Sequence, residues 1–446
     1  MIFSGFFKRI FGVKDKKSVP LPNSPPSAKK TAIAGRPETP AASKQSGALL
    51  HREELLDARG RLSGYRFSFK LLDKRIQVPP GAYLDALHAA NVRAFAARRM
   101  AVIDVGLDEW LKEDFRSLIA AHTVFQLKVP PFPDVSAEWL TGIAKIRESG
   151  VAVALSRVET TPLFKPALSE VSMGFVDLTA YSPANFDRLM RCLRTDFPTL
   201  KLAVENVRSW EERRLCMGLG AEYALGDFLS APDVDRQPEM FNPSRLILIE
   251  MLNLLRSDAD PEVIANVAKR DPGIAVNILS MANSPVSGLT KPIASIDQAI
   301  VVLGRDILYR WLAVSIFRAG STSELDEALL ELALARARFL ELAGLTILPK
   351  PVTDELFLVG LLSFVDVLLG VPMASIVAKV KLSGAVQDVL LRSEGPYNRY
   401  LMLGITVEKG NVDKATRLAS ALGIQAEALD AYRSIALLWA EEALAQ

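Results

Sequence analysis

The sequence is poor in the side chains that most often bind metals or act as nucleophiles. Its 446 residues include two cysteines and three histidines, and no histidine follows His122. Cys192 and Cys216 stand alone, without Cys-x-x-Cys spacing, which excludes a cysteine-based zinc site and a disulfide framework. Two isolated thiols are typical of a reducing compartment, so we expect a cytoplasmic protein.

The sequence also lacks the common short motifs of cofactor and catalytic sites. It contains no GxxxxGK[ST], no GxGxxG after a strand, no HExxH and no GxSxG, so we expect no cofactor and no metal. Residues 1–48 carry nine Lys/Arg and two Asp/Glu, a formal +7, so the rest of the chain carries −5 of the total +2. A mildly acidic body argues against a nucleic-acid partner, since such partners need clustered basic residues.

The first residues form an apolar cluster next to basic ones. Residues 3–11 place phenylalanine and isoleucine at helical spacing beside Lys8 and Arg9. Such a face needs a partner, and we expect peripheral contact with the inner membrane, a groove on another protein, or a groove on this chain. Residues 12–48 have six prolines and no aromatic residue, which predicts a disordered tether that completes an N-terminal segment of 1–48.

Residues 49–235 alternate between strand-like and helix-like patterns. Seven short apolar runs are separated mostly by helical stretches: "RLSGYRFSFKLL", "MAVIDVG", "TVFQLKV", "VAVALS", "GFVDLT", "KLAVEN" and "AEYALGDF". This alternation predicts a mostly parallel sheet, and seven such units favour a closed or nearly closed barrel.

Residues 236–446 lose the strand pattern and read as an all-helical domain. Residues 233–244 are polar, contain two prolines and mark the boundary. The apolar stretch 356–378 is interrupted by Asp366 and by Gly370-Val371-Pro372, so we interpret it as a buried core helix rather than a membrane span.

The stretch "RDPGIAVNILSMANSP", 270–285, has the signals of a buried helix with defined ends. Asp271 suits the N-cap, Pro272 suits the first turn, and Asn283-Ser284-Pro285 ends the helix. Together with "SIDQAIVVLG", which ends at Gly304, this stretch resembles the HDOD domain, a relative of the HD metal phosphohydrolases. We interpret Asp271, Pro272, Asn283, Ser284 and Gly304 as structural. The family's His-Asp pair falls on Ser363-Phe364, so the resemblance implies no HD-type hydrolysis.

The first domain is similar to EAL domains, which are modified (β/α)8 barrels that hydrolyse cyclic di-GMP with two metal ions. The stretch "LAVENVRSWEERRLCMGLGAEYALGDFLSAP" carries this resemblance, "RLSGYRFSFKLL" resembles the family's first strand, and "GVAVALSRV" resembles the stretch with its Asp-Asp pair. The resemblance implies a metal site built from carboxylates around the mouth of the barrel.

Most of those carboxylates are replaced in this sequence. The family's positions fall on Arg66, Asp104, Gln126, Ser156, Arg157, Glu205, residues near Asp177 and Thr179, and either Leu225 or Asp227. One retained acid, Glu205, cannot hold two divalent ions, so we predict that the chain is not an enzyme. Arg66 and Arg157, with Glu205, are candidate nucleotide contacts, because arginine binds phosphate through paired N–H groups.

The sequence therefore predicts a bacterial signal-transduction protein made of a degenerate EAL-type β/α barrel followed by an all-helical HDOD domain. We expect it to act through one or more protein partners that the sequence does not identify, with both folds kept as scaffolds. The alternative is a cyclic di-GMP receptor that binds the nucleotide without cleaving it. A third reading, an active metal-dependent phosphodiesterase, conflicts with the residues present.

Overall fold

The computed structural model describes most of the chain after residue 47. The described residues are 48–71, 79–129, 137–158, 164–231, 233, 235, 243–284, 292–319 and 324–444. The predictions for residues 3–11 and for the tether that follows them, and the role of Pro285, lie outside these residues.

Eight strands form a closed barrel in sequence order, which confirms the predicted fold of this half. They are β1 (Ala48–Asp57), β2 (Leu62–Leu71), β3 (Met100–Val105), β4 (Thr123–Leu127), β5 (Ala152–Leu155), β6 (Met173–Asp177), β7 (Lys201–Glu205) and β8 (Tyr223–Ala224). β1 runs antiparallel to both of its neighbours, β2 and β8, and the remaining pairs are parallel.

The sequence pattern missed β1, so "RLSGYRFSFKLL" forms the second strand and not the first. β1 contains four consecutive polar residues, 51–54, and therefore shows no apolar run. It is nevertheless covered on both sides, because one set of alternate side chains faces the barrel mouth and the other faces the helical domain.

Among the described residues, seven α-helices accompany the strands and cover the outside of the barrel. They are α1 (Ala82–Ala89), α2 (Val92–Ala96), α3 (Leu107–Lys112), α4 (Ala137–Glu148), α5 (Lys165–Ser169), α6 (Pro183–Asp196) and α7 (Trp210–Gly218). The barrel interior has its own small core that includes Leu55, Val102, Phe175, Ala203 and Leu225. Since the lower interior is filled by side chains, the loops at the carboxyl ends of the strands are where a barrel of this kind forms its active site.

The rest of the described chain is helical, as predicted. The helices are α8 (Pro243–Arg256), α9 (Pro261–Ala268), α10 (Pro272–Ala282), α11 (Ile296–Leu303), α12 (Arg305–Arg318), α13 (Glu324–Leu345), α14 (Lys350–Leu362), α15 (Val365–Leu369), α16 (Met373–Val377), α17 (Gly384–Arg392), α18 (Asn398–Glu408), α19 (Val412–Ala421) and α20 (Ala428–Leu444). The apolar stretch 356–378 is mostly buried up to Leu369 and partly exposed after it, and it spans the end of α14 and two short helices, since Gly370 turns the backbone at φ +63°. Within the described ranges, no helix combines the length and apolar character that a membrane crossing needs.

The ends of α10 and α11 are held by side chains singled out in the sequence. Asp271 Oδ1 accepts hydrogen bonds from the backbone N–H groups of Gly273 and Ile274 at 2.8 and 3.1 Å, with Pro272 in the first turn. The Asn283 side chain exchanges two hydrogen bonds with the backbone of Ile293.

The remaining two positions singled out in the sequence lie beside these helix ends. Ser284 is buried after α10. Gly304, with φ +77°, joins α11 to α12 in a conformation that favours glycine. The structural role of these five residues stays a prediction.

A buried carboxylate of α13, Glu331, joins the helical domain to the barrel. Its side chain is 2% exposed and accepts hydrogen bonds from Arg52 at 3.4 Å, from Arg99 at 2.8 Å, and from the hydroxyl of Tyr65. The guanidinium of Arg52 also stacks on the Tyr65 ring, 3.2 Å from its centroid. All three donors belong to the barrel, so the two domains share one buried ionic cluster.

The last helix, α20, adds a further buried arginine to the interface between the domains. Arg433 of α20 donates hydrogen bonds to the backbone carbonyls of Val407 and Arg52, the latter at 2.9 Å. Glu54 lies near this guanidinium, yet burial raises the pKa of Glu54 to about 7, with Arg433 opposing the shift. Burial likewise raises the pKa of Asp430 to about 6.

We predict that Ile278→Asp strongly destabilises the protein. Ile278 is fully buried in α10, and an unpaired carboxylate there costs several kcal/mol. Asp271→Ala should cost about 1 kcal/mol through the lost cap. Urea unfolding measures both, and Val276→Asp on the exposed face of the same helix is the matched control. Equal midpoints for Ile278→Asp and Val276→Asp would contradict the assignment of α10 to the core.

Glu331→Gln should lower the free energy of unfolding by about 3 kcal/mol, because it leaves the buried guanidinium of Arg52 and the partly buried one of Arg99 without their counter-charge. Glu327→Gln, one turn earlier and exposed, should change it by less than about 0.5 kcal/mol. Denaturant titrations of the full chain provide the comparison. A loss no larger in Glu331→Gln than in the control would show that the cluster does not stabilise the interface.

Glu54→Gln should change how stability depends on pH. A carboxyl group whose pKa is higher in the folded state stabilises the fold below its unfolded pKa, and this contribution is lost as pH rises through about 7. We therefore expect the variant to match the wild type near pH 5 and to exceed its stability by roughly 1–2 kcal/mol at pH 8. Thermal melts at several pH values test this expectation, and parallel curves for the two proteins would refute it.

Candidate functional site

The guanidinium of Arg66, on β2, lies between the carboxylates of Glu53 on β1 and Glu205 at the end of β7. Its Nε and Nη2 donate to Glu53 Oε2 at 2.9 and 2.6 Å, and its Nη1 donates to Glu205. Burial opposes the charge on Arg66, but the two carboxylates raise the pKa of Arg66 above its usual value. Burial also acts against ionisation of Glu53, yet its hydrogen bond with His51 and the charge of Arg66 lower the pKa of Glu53.

A pair of divalent metal ions does not fit this arrangement. Such ions need several free carboxylate oxygens, whereas the two nearest acids already neutralise a guanidinium. In the part of the chain that the structure describes, no group of three or more His, Cys, Asp or Glu side chains could hold a metal ion. A cation placed beside Arg66 would also be repelled by it.

The other positions named from the sequence surround the same end of the barrel without forming one cluster. Gln126 is 1% exposed on β4, and Ser156 Oγ accepts a hydrogen bond from the N–H of Val129 at 3.0 Å. Arg157 follows Ser156 in the loop after β5. Asp177 accepts hydrogen bonds from the N–H and the hydroxyl of Thr179 at 2.9 and 2.7 Å. Of the three candidate nucleotide contacts, the structure therefore brings together Arg66 and Glu205.

A cavity of about 440 Å³ lies at this mouth and is bordered by both domains. The barrel contributes the start of β1 and the loops that follow β6, β7 and β8, and the helical domain contributes Glu408 and Lys409. Three cationic side chains border it: Lys70, Arg208 and Lys409. Burial lowers the pKa of His51, which also borders the cavity, to about 4, so this ring is neutral near pH 7.

The turn after α18 covers part of the mouth. Lys409 Nζ lies 2.7 Å from Asp227 Oδ2 in the loop after β8. Gly410 has φ +61°, and a Cβ atom at this position would lie 2.7 Å from Nδ1 of His51. Only glycine therefore allows this turn to approach the barrel so closely.

A second arginine contacts Ser363 and Phe364, the residues on which the family's His-Asp pair falls. Arg336 of α13 donates from Nη1 to Ser363 Oγ at 2.9 Å, and its guanidinium lies 3.9 Å from the centroid of the Phe364 ring. Its Nε donates to Glu408 Oε1 at 2.8 Å. Glu408 thus binds Arg336 on one side and borders the mouth cavity on the other.

Several residues of the mouth were missed by sequence reasoning. Arg208 stands three residues after β7, and the rule that barrel sites lie in the loops after the strands would have pointed to it. Lys70 and His51 lie at the same end of β2 and β1. Glu408 and Lys409 had no local signal, because they reach the mouth through the packing of the domains.

Comparison with known proteins supports the architecture. Residues 246–378 match the family model described as the HDOD domain. The protein named cyclic di-GMP phosphodiesterase CdgJ, from Vibrio cholerae, is 24% identical over 289 residues, 64% of this chain and 66% of that protein. The uncharacterized protein YuxH, from Bacillus subtilis, is 28% identical over 284 residues, 61% of this chain and 67% of that protein. This chain therefore matches about two thirds of the length of each relative.

Among solved structures, the FimX EAL domain from Pseudomonas aeruginosa bound to c-di-GMP is similar in fold, and the match covers 42% of this chain and 91% of that chain. Its sequence identity is 16% and the TM-score is 0.32.

The prediction that the chain is not an enzyme is contradicted by the similarity to CdgJ, whose name is that of a phosphodiesterase. The prediction counted metal ligands at the positions of one family. Such a count tests one arrangement of ligands, whereas the same chemistry can be carried out by other arrangements.

The strand order of the barrel and the HDOD match lead to one conclusion about the architecture. The chain combines a closed eight-stranded barrel with a helical region whose residues 246–378 match the HDOD domain, which supports the tandem EAL–HDOD arrangement predicted from the sequence.

Proposed function

We propose that this chain is a regulatory protein of cyclic di-GMP signalling, in which a nucleotide at the barrel mouth changes the state of the helical domain. The observation that carries the proposal is the shared mouth cavity, which is bordered by barrel loops and by Glu408 and Lys409. The name of CdgJ supports cyclic di-GMP as the ligand.

The size of the cavity links binding to movement of the helical domain. A volume of about 440 Å³ is at the lower end for drug-sized ligands, and cyclic di-GMP carries two bases and two phosphates. Its entry requires that Lys409 release Asp227 and that the turn at Gly410 move away from His51. A phosphate can replace the carboxylate of Asp227 as the partner of Lys409.

The first contacts with phosphate are assigned to the exposed cations of the mouth, Arg208 and Lys409. Arg66 is bonded to two carboxylates, so Arg208 and Lys409 are better placed to bind a phosphate first. Contacts by Arg66, Arg157 and Glu205 remain part of the proposal, and they follow once the ion pairs around Arg66 rearrange.

The output of the proposed signal is contact with a protein partner. Five apolar side chains on the helices that begin the HDOD domain are 42–65% exposed: Leu246, Val263, Val276, Val301 and Val302. Their helices, α8 to α11, pack against one another. Exposed aliphatic side chains on neighbouring helices favour an interaction surface.

Calorimetry of the full chain should show one cyclic di-GMP bound per chain. Arg208→Gln should weaken binding about tenfold, because a hydrogen bond to a charged group contributes roughly 1.5–3 kcal/mol. Arg191→Gln, which removes a pair with Asp187 on the outer face of α6, should leave the affinity unchanged. Hydrogen exchange of residues 398–411 should change on binding.

Two results would contradict the proposed function: no binding of cyclic di-GMP by the full chain, or binding that leaves the hydrogen exchange of residues 398–411 unchanged. Chromatography of the same mixtures with Mg²⁺ or Mn²⁺ shows whether linear dinucleotide is released. Its appearance would add hydrolysis to binding at the mouth.

A further inference from the structure

A second cavity lies between the two domains at the opposite end of the barrel. Its volume is about 690 Å³. On the barrel side it is bordered by the starts of β2 and β3 and by His122, which precedes β4. On the helical side it is bordered by the first two turns of α13. It is separate from the mouth cavity, because the starts and the ends of parallel strands lie on opposite faces of a barrel.

Four arginines from three separate segments border this cavity: Arg61, Arg98, Arg99 and Arg318. Three glutamates, Glu324, Glu327 and Glu331, face them from α13, so the charged groups sum to a formal +1. Glu331 is already satisfied by three barrel donors. Among the residues that border the cavity, the arginines therefore outnumber the glutamates by one.

Three of the four guanidinium groups, those of Arg61, Arg98 and Arg99, keep N–H donors for a ligand. Arg61 uses Nε for Asp57 at 3.1 Å, and Arg99 uses Nη1 for Glu331 at 2.8 Å. Arg98 lies 3.6 Å from Glu441, beyond normal hydrogen-bond length, and its side chain is about half exposed. A guanidinium has five N–H groups, so each of these three retains several.

The backbone of α13 adds to the positive potential. This helix of 22 residues begins at Glu324, on the rim of the cavity, and the N-terminus of a helix carries partial positive charge. A cavity between domains with several arginines is suited to phosphate groups, which accept paired hydrogen bonds from guanidinium.

We propose that this cavity binds a soluble phosphate-bearing anion, of the oligophosphate or nucleotide class, and that the anion links the barrel to the helical domain. The site is independent of the mouth cavity and of cyclic di-GMP.

Calorimetry with inorganic pyrophosphate and with ATP, at low salt and on the full chain, tests this site. At least one of the two probes should bind, and added NaCl should weaken its binding. Arg98→Gln and Arg318→Gln should each weaken binding about tenfold. Glu327→Gln should tighten it several-fold, because it removes a negative charge from the cavity, and a misfolded protein cannot show such a gain.

Arg191→Gln, on the outer face of α6, is the matched control and should bind like the wild type. Excess cyclic di-GMP should not displace the probe. Failure of both probes to bind would overturn the proposal, as would wild-type affinity in both cavity arginine variants or displacement by cyclic di-GMP.

Discussion

The burial of one carboxylate, that of Glu331, fixes how the two domains are arranged. An unpaired charge in a water-free environment costs several kcal/mol, so Glu331 requires donors. All three donors that the structure shows, Arg52, Tyr65 and Arg99, belong to the barrel. The helical domain cannot turn away without losing them. The turn after α18, which covers part of the barrel mouth, and the cavity at the opposite end of the barrel both depend on this contact.

In each domain an arginine lies at, or in contact with, the positions where the resemblance places metal-binding residues. Arg66 is held by Glu53 and Glu205, and Arg336 is held by Glu408 and Ser363. A guanidinium balances the charge of nearby carboxylates as a metal ion does, but it is covalently fixed and brings its own hydrogen-bond geometry. Each position is therefore neutralised within the chain, and a ligand must compete with an existing ion pair to enter.

Glu408 connects these two positions. It binds Arg336 inside the helical domain, and it borders the mouth of the barrel together with Lys409. A ligand that changes the electrostatic environment at the mouth thus acts directly on an ion pair of the helical core. The turn at Gly410, which follows α18, lies so close to His51 that the two must separate when the mouth opens.

The sequence by itself determined the two fold types and the helix ends, because both depend on local patterns. Strand and helix periods gave the barrel and the helical domain, and Asp271 gave the start of α10. β1 was missed, because its residues 51–54 are polar. They are covered only in the folded protein, where their side chains face the barrel mouth or the helical domain. The resemblance to EAL domains also placed Arg66 and Glu205 at positions that belong to one metal site in that family.

Only the tertiary structure decided what surrounds those residues. The resemblance could show that Arg66 replaces an acid. Its partner Glu53 comes from the antiparallel register of β1, a strand that the sequence pattern had not revealed. Glu331, Glu408 and Lys409 reach the barrel from more than 170 positions along the chain. Their roles follow from the packing of the domains, because the cost of burying charge can be met only by groups that folding brings together.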